Sequence, residues 1–277
     1  MIPLAAGAVV ALVAAAAGPE TPDPSIAFTE RIRAATQRYH ERSEAITDGY
    51  RLIGRDFPAM GEHWVNIGLL FDGEYDPDHP EFLSYVVVDG APRLLGVAYG
   101  LPLLHGEVPP ALPGAGAIWH DHAGSLEEET LLPHHHGAGN TPGPRLAMVH
   151  AWVWLANPEG LYAADNWAIP FLRLGLTPSP QAPVAAGKTL SLLMGGDAYL
   201  IDAVVAAAAP SAAARLQLEA AVARVKRAAA DLAAEDRGRL TPAQEVQLAE
   251  SWLGMWREFD AALSPTGRER VAHLAIR

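Results

Sequence analysis

The chain has 277 residues and contains no cysteine. No disulfide can stabilise the fold and no cysteine nucleophile is available, so stability has to come from the burial of apolar side chains. Lysine is also scarce, because only Lys188 and Lys226 are present, and the formal net charge is −12. This charge argues against a nucleic-acid partner and against binding to anionic membrane surfaces.

The short motifs of several enzyme classes are missing too. The sequence contains no GxSxG nucleophile elbow, no Walker phosphate loop, no GxGxxG after a predicted strand and no HExxH zinc motif. A Ser-His-Asp arrangement built from distant positions stays open, although no serine has a local context that suggests activation. The enzyme class therefore cannot be inferred from these motifs.

The N-terminal segment predicts the compartment. Residues 2–17 carry no charge, consist mostly of Ala, Val and Leu, and end in small residues before a Pro-rich stretch. This pattern predicts a signal peptide over 1–17, a linker over 18–28, and a periplasmic or extracellular protein without an integral membrane span after cleavage. No basic residue precedes Arg31, which leaves open a displaced start or an uncleaved anchor. Sixteen residues are short for a bilayer core of about 30 Å, which favours the signal peptide.

The hydrophobic pattern predicts an α+β protein whose first domain covers residues 29–176. Helical spacing from Thr29, taken as the N-cap, to about Tyr50 predicts one amphipathic helix. Short runs rich in Val, Tyr, Trp and Leu then predict an antiparallel sheet or barrel of five to six strands. The predicted strands are His63–Phe71, Phe82–Asp89, Pro92–Leu101, Ala117–His122, Arg145–Leu155 and, as an optional member, Ile169–Leu174, with a hairpin turn at Asp89-Gly90.

The C-terminal third predicts a helical bundle. A Pro-rich linker over 177–187 separates the sheet domain from a helical region over 188–277. Apolar residues repeat every four and three positions from Leu218 to Leu232, as on the buried face of a helix. Thr241, Pro242 and Gln244 form a capping box with an N1 proline, and Ser264 and Pro265 repeat the cap-plus-proline signal.

Six of the eleven histidines fall between Ile118 and Trp154, and this crowding is the main functional signal. Imidazole is the commonest metal ligand and titrates nearest neutral pH, so the cluster indicates a metal or proton-transfer site. Strand alternation sends His120 and His122 to one face of the sheet and places His150 on one face with Trp152 and Trp154. Buried structural histidines are the competing interpretation, and the triplet His134–His136 is best explained as a solvated loop.

These positions define the predicted ligand set. Glu62 and His63 are neighbours on a strand, so one of the two, but not both, can face the same site. Histidines from adjacent strands with one carboxylate suit zinc, iron, manganese or copper. We therefore expect a mononuclear site built from a set of candidate ligands, which are His120, His122, His150, His63, Glu62 and Glu127.

Two stretches of sequence resemble known families. His120-Asp121-His122, followed after four residues by Glu127 and later by His150, resembles the HxH-x4-E pattern of the cupins, which implies a metal-binding β fold. The match spans about thirty residues, and the cupin glycines and proline around the last histidine are out of register. The motifs GEHWVN and VHAWVWLANPEG, within roughly residues 29–170, resemble a family of exported bacterial proteins of unknown function. That likeness implies export and no particular activity.

The sequence thus leads to two hypotheses about function. The first is an exported metal-binding protein, with a metal that either acts as a Lewis acid on a small molecule or fills a closed storage or structural site. The second is a non-catalytic module that binds a small molecule or a protein through the aromatic face of the sheet, with structural histidines. An open coordination position distinguishes an enzyme from a closed site, and bound metal distinguishes the first hypothesis from the second.

Overall fold

The fold is a six-stranded antiparallel sheet flanked by helices, which confirms the predicted α+β class. The computed structural model describes residues 23–104, 106–114, 119–122, 145–177, 205–235 and 240–272. The predicted signal peptide and most of both predicted linkers lie outside these ranges. The strands are β1 (Arg51–Phe57), β2 (Gly61–Val65), β3 (Phe82–Val88), β4 (Ala91–Leu103), β5 (His120–His122) and β6 (Arg145–Ala151).

The helices of the described part of the chain lie before, between and after these strands. They are α1 (Pro24–Thr36), α2 (Arg42–Thr47), α3 (Ile67–Leu70), α4 (Ile169–Arg173), α5 (Ala212–Glu235), α6 (Pro242–Ala262) and α7 (Pro265–Ala272), with a 3-10 turn at Gln37–His40. None of the helices in the described ranges combines the length and apolar character that a membrane crossing needs.

The sheet is ordered β1-β2-β3-β4-β6-β5, so β5 is an edge strand that pairs with β6. The predicted hairpin joins β3 and β4 at Asp89 and Gly90, whose φ angles of 51° and 78° fit the two-residue turn that matches strand twist. Ile169–Arg173 is helix α4 instead of the optional strand. Pro170 at the start of that segment suits a first helical turn and cannot donate to a sheet.

The N-terminal region differs from the prediction of one helix starting at Thr29. Helix α1 begins at Pro24, inside the predicted linker, because Asp23 accepts a hydrogen bond from the Ser25 amide at 2.9 Å and caps it. The helix then breaks into the 3-10 turn and α2, which lets the Tyr39 and Tyr50 rings meet at 5.3 Å. In a continuous helix, Tyr39 and Tyr50 would lie about 16 Å apart along the axis, because they are eleven residues apart. The break in the helix therefore allows the two rings to be buried together.

Strands β1 and β2 also differ from the predicted boundaries. Residues 51–57, expected to follow the end of the helix, form the edge strand β1. Strand β2 ends at Val65 instead of continuing to Phe71, because the Asn66 side chain accepts hydrogen bonds from the Gly68 and Leu69 amides and starts α3. The local cap outweighs the β propensity of the apolar residues that follow.

The two faces of the sheet are covered differently. One face packs against α1 and α2 through a core that includes Phe28, Ile32, Leu83, Tyr85 and Val149. The opposite face, here called the histidine face, carries two smaller apolar clusters, one around Phe82 and Met148 and one around Val86 and Trp152. The C-terminal helices form a separate core, here called the bundle core, which includes Ala59, Trp167 and Phe171 from the sheet domain.

The C-terminal helices begin as the sequence predicts. Thr241 and Gln244 form the capping box of α6, and Ser264 Oγ accepts a hydrogen bond from the Gly267 amide at 3.0 Å at the start of α7. Leu218 and Val225 of α5 are buried in the bundle core. Helices α5 and α6 pack against each other, so this part of the chain is a small bundle attached to the sheet.

Candidate functional site

Three of the predicted ligands lie on the histidine face, on three different strands. His63 on β2 is opposite Ser84 of β3. His150 on β6 is opposite Ala98 of β4, and His120 on β5 is opposite Met148, two residues from His150. Because residues that face each other across a ladder, and residues two apart in a strand, share a face, all three imidazoles start from the same side of the sheet.

The imidazoles of His63 and His150 are in direct contact. Their Nε2 atoms are 3.1 Å apart and their ring centroids 5.4 Å apart. The His120 ring stacks on His150 at 5.7 Å between centroids with an angle of 19° between the planes. His120 and His150 are 4 % and 2 % exposed and His63 is half-buried, so the cluster lies largely on the inside of the protein.

The contact crosses the two central strands. Strands β2 and β6 are separated by β3 and β4, a distance of about 14 Å at about 4.8 Å per strand, so the two side chains have to lean towards each other over the sheet. Small residues make this possible, because Ser84 and Ala98 are the partners of the two histidines on the central strands. These short side chains leave space above β3 and β4 in which the two imidazoles can meet.

Aromatic rings hold the two histidines in place. Trp152 stacks on His150 at 5.2 Å with an angle of 14° between the planes, and its own indole N–H donates to the Ala163 carbonyl oxygen at 2.7 Å. Phe57 meets His63 edge to face at 6.4 Å. The backbone of Ala151 and Trp152 approaches Gly96 so closely that a Cβ there would lie 2.6 Å from the Ala151 carbonyl oxygen.

Trp154 does not share the face of His150 and Trp152, contrary to the prediction. Strand β6 ends at Ala151, and the following bend turns the Trp154 ring towards the N-terminal helices. There its indole N–H donates to Thr36 Oγ1 at 3.1 Å, and the Arg33 guanidinium lies over its ring at 5.9 Å. Period-two alternation holds only within the ladder, which is shorter than the predicted strand.

Burial keeps His63 neutral. It lowers the pKa of His63 to about 4, although the nearby Asp56 carboxylate opposes that shift. Asp56 is itself held by Arg173, whose two terminal nitrogens each donate to one carboxylate oxygen at 2.6 Å. A neutral imidazole is the form that accepts a hydrogen bond or ligates a metal ion.

Glu62 lies on the face opposite the three histidines. Its Oε2 accepts hydrogen bonds from the Arg42 guanidinium at 3.1 Å and from the Trp64 indole at 3.0 Å. Alternation along β2 separates it from His63, so of these two neighbours the histidine is the one that belongs to the site. The Glu62 carboxylate instead connects β2 to α2.

The remaining predicted ligands are only partly covered by the structure. The backbone of His122 pairs with Leu146 at the end of β5, on the same side as His120, while its side chain lies outside the description. Glu127 and the triplet His134–His136 lie outside the described residues. Within the described ranges, no three His, Asp or Glu side chains are already arranged as a metal-binding group.

Ser84 lies on the histidine face opposite His63, and the sequence analysis did not single it out. It is 0 % exposed, and its Oγ has no hydrogen-bond partner in the described part of the chain. A signal for it exists, because the alternate positions Phe82, Ser84, Val86 and Val88 of β3 face one way and Ser84 is the polar exception. Without knowledge of the strand order, nothing linked this serine to the histidines.

Comparison of the chain with protein-family models, with curated proteins and with solved structures found no match. Function has to be inferred from the arrangement of the side chains.

Proposed function

We propose that this protein binds a transition-metal ion between His63 and His150, with His120 as the third imidazole. The observation that carries the proposal is the 3.1 Å distance between the two Nε2 atoms. His63 and His150 lie on strands that are not neighbours. Their side chains are long enough to meet above the two strands between them. Zinc, iron, manganese and copper are the candidate ions, because all of them accept imidazole ligands.

The nitrogen separation fits a shared ion after a small movement. With metal–nitrogen bonds of about 2.0–2.1 Å, two ligands of a tetrahedral ion lie about 3.3–3.4 Å apart. The observed distance is shorter than this by a few tenths of an ångström. It equally suits a hydrogen bond between two neutral imidazoles, in which one Nε2–H donates to the other Nε2. Binding of a metal ion through both Nε2 atoms would move the proton of the donor ring to its Nδ1 atom, so the two states differ in the tautomer of one imidazole and by a slight opening of the pair.

His120 is close enough to complete a three-nitrogen site. Two imidazoles bound to one tetrahedral ion have ring centroids about 5 Å apart, given the same bond lengths. The His120–His150 centroid distance is 5.7 Å, but the rings are nearly parallel, so their in-plane lone pairs do not yet converge. Rotation of the His120 ring about its χ2 angle is the change that ligation requires. An ion held by three imidazoles keeps a fourth position for water or a small-molecule ligand, as in catalytic sites.

Metal content is the direct test. We expect purified, tag-free protein to contain close to one equivalent of metal by elemental analysis, and the metal-stripped protein to bind Zn²⁺ or Co²⁺ in a titration. His63→Ala and His150→Ala should each weaken binding at least tenfold, because loss of one of two anchoring ligands removes a metal–nitrogen bond. His120→Ala should weaken binding and change the Co²⁺ absorption spectrum.

His79→Ala is the matched control. His79 is also an imidazole in a hydrogen bond, to Asp76 Oδ2 at 2.8 Å, but it is exposed and lies in the connection between α3 and β3, outside the strands of the sheet. It should leave metal binding unchanged. Wild-type protein that stays metal-free and binds neither Zn²⁺ nor Co²⁺ would overturn the proposal. The histidine pair would then be a structural hydrogen bond, and the alternative of a non-catalytic binding module would replace it.

A further inference from the structure

We propose that Ser84 is a ligand-binding residue of the same site, where its hydroxyl donates a hydrogen bond to a small anion bound at the metal. This inference rests on the proposed metal site. The ligand class is a compact anion, such as hydroxide or the carboxylate group of a small molecule, bound next to the imidazoles.

The position of Ser84 places its side chain on the histidine face, between the strands that carry His63 and His150. The two Nε2 atoms meet over β3 and β4, and the residues of these strands that face this region are Phe82, Ser84, Gly96 and Ala98. The ring of Phe82 turns towards Gly100, where a Cβ would lie 2.6 Å from its Cε2 atom. Ser84 therefore supplies the polar side-chain atom of this group of four.

Burial of the Ser84 hydroxyl without a described partner lowers stability, and this indicates that the hydroxyl binds a ligand. Ser84 is fully buried, and its Oγ has no partner among the described residues. A buried polar group without a hydrogen bond destabilises a protein, and alanine would fill nearly the same space without that cost. Most buried polar groups in native proteins do have a partner, which points to a group that binds here.

The charge of the site favours an anion. Neutral imidazoles leave the charge of a divalent ion uncompensated. Of the acidic residues in the described part of the chain, Asp56 near His63 is paired with Arg173, and Glu62 lies on the opposite face with Arg42. A hydroxyl that donates to an anion makes a stronger hydrogen bond than one between neutral groups, and burial strengthens it further.

Azide binding to the Co²⁺-loaded protein tests this proposal. Azide is a small anion whose coordination is followed by the change in the Co²⁺ absorption spectrum. We expect Ser84→Ala to keep the affinity for Co²⁺ within about threefold of wild type and to weaken azide binding about tenfold, the factor that about 1.4 kcal/mol corresponds to. Ser84→Thr, which keeps the hydroxyl, should restore most of the azide affinity.

Val86→Ala is the control, because Val86 is two residues further on the same strand and faces the same side within an apolar cluster. It should leave azide affinity unchanged. Ser84→Ala protein that binds Co²⁺ and azide like wild type would overturn the role of Ser84 and leave the metal site standing. A rise in Tm without any loss of azide affinity would have the same meaning. Wild-type protein that binds no Co²⁺ overturns both proposals, since the anion then has no metal to bind.

Discussion

At the scale of single residues, the buried carboxyl group of Glu81 has an unusually high pKa. Glu81 is 1 % exposed, and its Oε2 accepts a hydrogen bond from the Gly100 amide at 3.0 Å. Burial raises the pKa of Glu81 to about 8, against the opposing effect of that hydrogen bond. The carboxyl group is therefore protonated in the folded protein at neutral pH and ionised in the unfolded chain.

The Glu81 pKa predicts how stability depends on pH. Between about pH 4.5 and 8 the folded state binds one proton more at this site than the unfolded state, so its contribution to stability falls as the pH rises, by at most about 1.4 kcal/mol per unit. Below this window the contribution is complete. Glu81→Gln should flatten the pH dependence of the unfolding free energy, measured with urea, whereas Glu30→Gln on the exposed side of α1 should keep the wild-type slope. Equal slopes for wild type and Glu81→Gln would contradict the prediction.

At the scale of elements, the same substitution should act in opposite directions in a turn and in a helix. Gly90 in the β3–β4 turn has φ of 78°, and a Cβ there would meet no atom within 4 Å, so only the backbone opposes a side chain. Gly254 lies within α6, where a Cβ would make an ordinary contact of 3.7 Å with Arg257. The backbone conformation, and not the available space, distinguishes the two sites.

We therefore expect Gly90→Ala to lower the free energy of unfolding by about 1 kcal/mol and Gly254→Ala to raise it by about 0.5–1 kcal/mol. Urea denaturation of the two variants beside wild type measures both effects. Each variant is the control for the other, since both add one methyl group. Changes of the same sign would show that packing, and not φ, decides the outcome.

At the scale of the whole molecule, an ion cluster and a shared core join the helical bundle to the sheet. Arg173 of α4 pairs with Asp56 of β1, and its Nε lies 3.6 Å from Glu245 Oε2 of α6. Nearby, the Trp252 indole on α6 donates to the buried Glu159 carboxyl group at 2.6 Å. Because these contacts connect α6 to two parts of the sheet domain, we expect one cooperative unfolding transition.

Arg173→Met tests this connection. The substitution leaves two carboxylates without their cation at sites where the three side chains are 10–27 % exposed, so we expect a loss of about 2–4 kcal/mol in unfolding free energy. Arg31→Met is the control, because Arg31 also makes two hydrogen bonds to one aspartate, Asp78, but on the exposed surface. It should cost clearly less. Similar losses for both variants in urea melts followed by tryptophan fluorescence would contradict the proposed connection.

What the sequence determined by itself is what depends on near neighbours in the chain. The β3–β4 hairpin, the capping box of α6 and the shared face of residues two apart in a strand follow from local chemistry and from the period of a strand. The early start of α1 at Pro24, the conversion of residues 51–57 into β1 and the early end of β6 were missed. In these places, competing caps and burial in the sheet outweighed the local pattern.

Only the tertiary structure decided which distant residues meet. The sequence predicts histidines on one face, but the contact of His63 with His150 depends on a strand order that places two strands between them. It also depends on the small side chains of Ser84 and Ala98 on those strands. Register and strand order arise from packing of the whole sheet, and no local periodicity encodes them. They place Ser84 on the same face as the histidines.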